Sequence, residues 1–154
     1  MTGIFRSTCT SFEKLTQYLP EYVLALVARI AVASVFWRSA QTKISGWELF
    51  GQNWKFWNVS ESAKLLFEYE YSVPLLPPEL AAYMATLGEF LLSLALVLGV
   101  LTRFSALGLL LMTAVIQIFV YPDAWNVHIL WAALLLYLIK HGAGALSVDA
   151  ILKR

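Results

Sequence analysis

Charged residues, cysteines and histidines are all scarce in this sequence, and each scarcity removes a class of function. Only 14% of the 154 residues are charged, about half the share of a typical soluble domain. The net charge is +1 and no Lys/Arg stripe is present, so we expect no nucleic-acid partner. The single cysteine, Cys9, excludes an internal disulfide, and two histidines with three methionines are too few for an obvious metal cage. No metal site is predicted, and redox chemistry would require a bound cofactor or a partner protein.

Apolar residues dominate what is present. They make up 60% of the chain, and the mean hydropathy is +0.69, which predicts the lipid bilayer as the main surroundings of the protein. Because a helix needs roughly 20 residues to cross the hydrocarbon core, the apolar runs predict four spans, at residues 22–42, 80–101, 104–121 and 124–139. These spans and their connections use the whole chain. We therefore predict a single domain over residues 1–154, an all-α integral membrane bundle of four transmembrane helices.

Two segments outside the spans have recognisable patterns. Residues 1–20 carry apolar side chains at roughly helical spacing before Pro20, which predicts a short interfacial helix and fits a cleavable signal peptide poorly. Residues 45–79 form a long loop rich in aromatic rings, which suit a membrane surface. Within that loop, Ser60 is predicted to cap a helix over residues 61–71, because its hydroxyl can accept from an unpaired amide of the first turn.

The basic residues outside the spans are distributed unequally. Arg6, Lys14, Arg103, Lys140, Lys153 and Arg154 fall on one side of the predicted membrane, and Lys43, Lys55 and Lys64 fall on the other. Since cytoplasmic loops carry the excess of Lys and Arg, both termini are predicted to be cytoplasmic. The aromatic-rich loop would then face outward.

Glu89 is the most informative polar residue within the spans. It lies nine residues past Leu80, roughly 14 Å below the outer surface at a rise of about 1.5 Å per residue, and therefore near the midplane. A charge there costs about 2.5 to 3.5 kcal/mol on insertion scales, so it needs a partner or a role. We interpret Glu89 as a candidate catalytic acid. The alternative, which is compatible with the first, is an ion pair with Arg29 or Arg38 that fixes helix register.

Further polar or aromatic side chains lie mostly in the outer half of the predicted bundle. The candidate ligand-binding residues are Arg29, Arg38, Gln41, Gln117, Trp125 and His128. If they face the interior, they outline a cavity that reaches down to Glu89. Simpler roles stay open: Arg38 can extend to lipid headgroups, His128 can be hydrogen-bonded near the interface, and glutamines can join helices.

The chain resembles DoxX-type proteins, which are small four-span proteins of the bacterial inner membrane. The resemblance covers about residues 22–152 and rests on short motifs in a given order. These are Arg29 and Gln41-Thr-Lys43 in the first span, Gly88-Glu89 in the second, Gly99-Val-Leu-Thr-Arg103 after it, and Gly142-Ala-Gly144 followed by Ser147-Val-Asp149. The chain departs from the usual pattern at Trp37 and Arg38, where small residues are common in the family.

The resemblance implies two classes of function. Family members are implied to be accessory subunits of oxidoreductase systems, including quinone-linked sulfur oxidation, so a quinone is the candidate cofactor and Glu89 would exchange its proton. The stretch from Phe67 to Pro78 is similar to a branch that accompanies enzymes modifying small metal-binding peptides. The alternative is therefore a non-catalytic anchor or export helper that holds a partner protein. Either function allows a partner protein or a homo-oligomer.

Overall fold

The computed structural model describes residues 18–71, 74 and 76–153, and these residues are mostly helical. The elements follow in chain order: α1 (Glu21–Lys43), a hairpin of β1 (Glu48–Leu49) and β2 (Gln52–Asn53), α2 (Glu61–Tyr69), α3 (Pro78–Leu98), α4 (Thr102–Val115) with a π-helical continuation (Ile116–Val120), a 3₁₀ turn (Pro122–Ala124), α5 (Trp125–His141) and α6 (Val148–Ile151). The predicted interfacial helix lies outside the described residues.

Within the described residues, four helical segments are long and apolar enough to cross a membrane, as predicted. They are Glu21–Lys43, Pro78–Leu98, Thr102–Val120 and Pro122–His141, within three residues of the predicted bounds at every end. Pro78 begins α3 because a proline costs nothing where the amide has no helical partner. Gly99 ends α3 with a φ of 69°, a left-handed conformation that glycine adopts without steric cost.

Small and aliphatic side chains form the core of the bundle. The largest buried cluster draws on α1, α3, α4 and α5 and consists of Ala28, Val32, Ala33, Phe36, Leu96, Ala106, Leu109, Leu135 and Leu138. The outward faces of the same helices carry large apolar side chains, such as Phe104 (74% exposed) and Leu130 (64% exposed). Such faces suit a lipid environment, and the helical hydrogen bonds satisfy the backbone groups that lipid cannot.

The segment between α1 and α3 folds back onto the end of α1. The Ser60 amide donates to Lys43 O at 2.8 Å, and the Ser45 amide donates to Asn58 O at 3.1 Å. Ser60 Oγ accepts from the Ala63 amide at 3.2 Å, which confirms the predicted cap of α2. The helix ends at Tyr69, two residues earlier than predicted. The side of the membrane that this segment faces stays a prediction.

Candidate functional site

A cavity of about 350 Å³ lies between the four long helices, at the end of the bundle where α1 ends and α3 begins. Its walls are mostly aliphatic and aromatic. It is lined by Val35, Phe36, Ser39 and Lys43 of α1, Phe67 of α2, Tyr71 and Leu76, Ala81, Met84, Ala85 and Glu89 of α3, Leu111, Met112, Val115, Ile116, Val120 and Tyr121 on and after α4, and His128 and Trp131 of α5. The polar groups among them form small, separate clusters.

The first cluster joins Glu89 to Lys43 and Ser39. Lys43 Nζ lies 2.8 Å from Glu89 Oε2 and 3.1 Å from Oε1, and Ser39 Oγ donates to Oε1 at 3.1 Å. The side chains of Lys43 and Glu89 are 8% and 4% exposed. A buried carboxylate is thus held by an ammonium and a hydroxyl against the wall of an apolar cavity.

Lys43 is the partner of Glu89, and the expectation that Arg29 or Arg38 would pair with it was wrong. Lys43 ends α1 and had been assigned to the outer loop. Side chains of a helix point back toward its N-terminus, and Lys43 Nζ also reaches Ser39, one turn earlier, at 2.6 Å from Oγ. Lys43 follows Phe36 by seven residues and so shares its inward face. Arg38 is displaced from Phe36 by about 200° around the helix and is exposed.

The second cluster joins His128 to Gln117. His128 is buried, and its Nδ1 lies 2.7 Å from Gln117 Oε1. The Gln117 amide nitrogen donates to Pro122 O at 2.6 Å. The His128 ring packs against Trp131 with ring centroids 4.8 Å apart. Two of the predicted site residues therefore meet, although only His128 lines the cavity.

A pair of tyrosines forms a third polar cluster of the cavity. Tyr71 Oη and Tyr121 Oη are 2.9 Å apart, and Tyr121 Oη lies 3.5 Å from Glu70 Oε1. Partial burial raises the pKa of the Tyr71 phenol above its usual value, and the hydrogen bond with Tyr121 adds to this rise. Tyr121 follows directly on the π-helical turn Ile116–Val120, a distortion often found beside functional sites. The aromatic loop residue Tyr71 was not singled out from the sequence.

Arg29 lies at the opposite end of the bundle, away from this cavity. Its guanidinium donates to three carbonyl oxygens, those of Ala143 (2.9 Å), Leu146 (3.0 Å) and Val97 (3.3 Å). It is 1% exposed. Arg29 thereby joins the ends of α3 and α5 to the segment before α6.

The motifs at residues 99–103, 142–144 and 147–149 meet around this arginine, whereas Gln41-Thr-Lys43 and Gly88-Glu89 lie at the cavity end of the bundle. The Asp149 carboxylate accepts from the amides of Leu101 (2.8 Å) and Thr102 (2.9 Å), at the start of α4. Burial alone would raise the pKa of Asp149, but the Thr102 and Leu101 amides stabilise the carboxylate and hold its pKa below the ordinary value. A side chain at Gly99 would collide with Ser147 and with the Arg29 guanidinium. We refer to these contacts of Arg29, Gly99, Ser147 and Asp149 as the clasp. Their role is structural.

The other predicted residues lie outside the cavity wall. Gln41 accepts from the Asn53 amide at 2.7 Å and donates to Asn53 O at 3.1 Å, so it holds β2 against α1. Trp125 is 56% exposed. Neither residue, nor Arg38, lines the cavity.

Comparison with known proteins gives one family. The DoxX family model matches residues 24–122. An uncharacterized protein of Haemophilus influenzae is similar to this chain, with 29% identity over 117 residues that cover 70% of this chain and 78% of the relative. No solved structure matches. The matched residues include most of the cavity wall and end just before α5.

Proposed function

The chain belongs to the DoxX family of membrane proteins, and from that premise we propose that it is an accessory membrane subunit of an oxidoreductase system that binds a quinone beside Glu89. The observation that carries the proposal is the placement of the Glu89–Lys43 pair in the wall of an apolar cavity between membrane-spanning helices. Its localisation would be the bacterial inner membrane.

The cavity suits a quinone in size and in its apolar walls. Its volume of about 350 Å³ lies at the lower end of the range of small-molecule sites, about 300 to 1,000 Å³. Aliphatic and aromatic walls match a hydrophobic ring and tail, and Glu89 and His128 place polar groups at the cavity wall, where they can bind the ring substituents of the reduced form. The end of the bundle where α1 ends and α3 begins therefore contains an apolar cavity with few polar groups, which are held in fixed positions.

The polar groups also suit the transfer of protons. A quinone supplies the site with electron acceptance coupled to proton uptake. Lys43 Nζ donates to Glu89 Oε2 at 2.8 Å, so the carboxylate at the cavity wall is in hydrogen-bond contact with a group that can supply or receive a proton. Ser39 Oγ, in contact with both side chains, holds the carboxylate in place.

Both termini are proposed to be cytoplasmic. The burial of Lys43 inside the bundle removes it from the loop charges, so only Lys55 and Lys64 remain basic on the side of the aromatic loop. The asymmetry that the positive-inside rule uses is thereby larger. Reporter fusions at residue 154 and within residues 45–58 test this orientation, and an exported C-terminal reporter would contradict it.

The first experiment measures quinone that is co-extracted with the protein in a mild detergent, per mole of chain. Wild type is compared with Glu89→Gln, and with Glu79→Gln as a matched control, because Glu79 lies on the same helix but is exposed. We expect near-stoichiometric quinone in wild type and in the control, and a clear loss in Glu89→Gln. Quinone absent from all three preparations would exclude the site.

A second function, that of an anchor or export helper for a partner protein, is favoured by the exposed rings of the hairpin segment. Trp47 is 62% exposed, Phe50 is 90% exposed and Trp57 is 58% exposed. Trp54, by contrast, packs against Trp37 with ring centroids 5.6 Å apart, so its replacement would disturb the fold. The double substitution Trp47→Ser/Trp57→Ser should reduce co-purification of a partner while leaving the quinone content unchanged.

A further inference from the structure

The polar groups of the cavity have either hydrogen-bond donors or hydrogen-bond acceptors that no protein group uses. Which of the two prevails decides whether the oxidised or the reduced form of a quinone fits the cavity better. At the Glu89 cluster the donors are engaged within the protein. The three Nζ–H groups of Lys43 have Ser39 Oγ at 2.6 Å, Glu89 Oε2 at 2.8 Å, and a third position shared by Glu89 Oε1 (3.1 Å) and Ser39 O (3.2 Å). The Ser39 hydroxyl donates to Glu89 Oε1. Each donor of this cluster thus has an internal acceptor.

The capacity that remains at Glu89 is that of an acceptor. A carboxylate offers about four lone-pair directions. Among the described residues Oε1 receives two donors and Oε2 receives one. One lone pair of Oε2 is therefore left for a hydrogen-bond donor in the cavity.

The tautomer of His128 follows from its neighbours. The Gln117 amide nitrogen donates to Pro122 O, which can only accept, so the amide must direct Oε1 toward His128. Since Oε1 can also only accept, His128 Nδ1 must carry the hydrogen of this 2.7 Å contact. The neutral ring then has its lone pair on Nε2, which has no hydrogen-bond partner among the described residues. His128 lines the cavity and offers it an acceptor.

The tyrosine pair follows the same rule, and one donor stands apart. If the Tyr121 hydroxyl donates to Glu70 at 3.5 Å, the Tyr71 hydroxyl donates to Tyr121 at 2.9 Å, and the lone pairs of Tyr71 remain. Among the cavity-lining side chains described, the indole N–H of Trp131 is the one donor without an acceptor in the described residues. Acceptors nevertheless predominate.

We infer that the cavity selects a hydroxyl-bearing ligand, the hydroquinone, over the corresponding quinone. The inference rests on the proposed quinone site and adds the redox form of the ligand. A hydroquinone donates its hydroxyl hydrogens to Glu89 Oε2 or His128 Nε2. A quinone, whose oxygens only accept, finds no donor at Glu89 Oε2 or His128 Nε2, and among the cavity-lining side chains described only the Trp131 indole is left to donate to it. Unmatched acceptors of this kind are costly in a buried site. Gln117 acts as a positioning residue that fixes the His128 tautomer.

The test compares binding of a short-tailed benzoquinone analogue and of its hydroquinone to the detergent-purified wild-type chain, by anaerobic titration calorimetry. We expect the hydroquinone to bind at least about tenfold more tightly, the effect of about one matched hydrogen bond in a buried site. Equal affinities, or tighter binding of the quinone, would overturn the inference and leave the proposed site intact. If neither form binds, the proposed function fails with it.

Variants assign the preference to His128. His128→Phe keeps the ring contact with Trp131 but removes the acceptor, so the hydroquinone should lose about tenfold in affinity while the quinone is unaffected. Gln117→Leu frees the tautomer, so the ratio of the two affinities should fall without loss of quinone binding. His141→Phe, at the opposite end of α5, is the matched control. If the ratio of hydroquinone to quinone affinity is unchanged in both His128→Phe and Gln117→Leu, His128 is not the source of the preference, even if wild type prefers the hydroquinone.

Discussion

Replacement of Lys43 with methionine tests whether the Glu89 pair is held as the structure indicates. Methionine keeps an unbranched apolar side chain but removes the charge. Because the two side chains are 8% and 4% exposed, water cannot replace the lost ammonium, and breaking a buried pair on one side costs about 3 to 5 kcal/mol. For a chain of this size that corresponds to a decrease in the thermal midpoint on the order of 10 °C.

The reverse substitution, Glu89→Leu, should cost less. Lys43 is the last residue of α1, so its flexible side chain can turn toward water or headgroups when its partner is removed. Glu89 lies well inside α3 and has no such route. The double variant Lys43→Met/Glu89→Leu leaves no unpaired charge and should be clearly more stable than Lys43→Met alone.

The assay is thermal unfolding in detergent, followed by the fluorescence of the six tryptophans, over the complete double-mutant cycle. A coupling of at least about 1 kcal/mol is expected for groups in contact. The reasoning is refuted if Lys43→Met unfolds within about 2 °C of wild type, less than the shift of about 1 kcal/mol, or if the two single effects simply add. A double variant that folds but retains less quinone than wild type would separate the proposed role of the pair in quinone binding from its role in stability.

Three further predictions concern the clasp and the hairpin. Gly99→Ala should reduce the free energy of unfolding by more than about 1 kcal/mol and lower the thermal midpoint by several degrees, because its φ is 69° and the new methyl group meets Ser147 and Arg29. A variant as stable as wild type would show that Ser147 and Arg29 can move aside. Asp149→Ala should lose about 1 kcal/mol of capping stabilisation at neutral pH. Because the folded-state pKa of Asp149 lies below the ordinary 3.8, wild type should retain this stabilisation above about pH 4 and lose it as the pH falls further, so denaturation profiles of the two proteins should converge in acid; a constant difference would contradict the assignment. Phe50→Asn should stabilise the chain by about 1 kcal/mol, since Phe50 is 90% exposed and has a φ of 55°, a conformation that asparagine adopts more readily. A lower thermal midpoint than that of wild type would contradict this prediction.

The helical framework could be predicted from the sequence because it depends on local properties. Hydrocarbon thickness sets the length of an apolar run, and prolines, glycines and the Ser60 hydroxyl mark helix ends through backbone geometry alone. These signals located four spans to within three residues. They could not decide which residues of each helix face the interior, because an error of one residue turns a helix by about 100°.

Lys43 shows how this limit led to an incorrect pairing. When topology is assigned by counting Lys and Arg residues in loops, a lysine at the end of a span is counted with the loop. Arg29, Phe36 and Lys43 follow one another at seven-residue intervals and all three are buried, so the spacing places Lys43 inward only once one of the other two is known to face the interior. No comparable signal exists for the partners of Arg29, which are 68, 114 and 117 residues away in the chain.

The two buried cationic side chains of α1 therefore have different roles despite similar burial. Arg29 directs its guanidinium at backbone carbonyls of α3 and of the segment after α5, so its charge stabilises the joining of chain segments. Lys43 directs its ammonium at a carboxylate that borders an apolar cavity, and one lone pair of that carboxylate has no donor among the residues that the structure describes. A group whose hydrogen-bonding capacity is used within the fold adds stability, whereas capacity left over at a cavity wall is available to a ligand. This distinction, and not depth in the membrane, is the ground on which we propose a functional role for Glu89 and a structural role for Arg29.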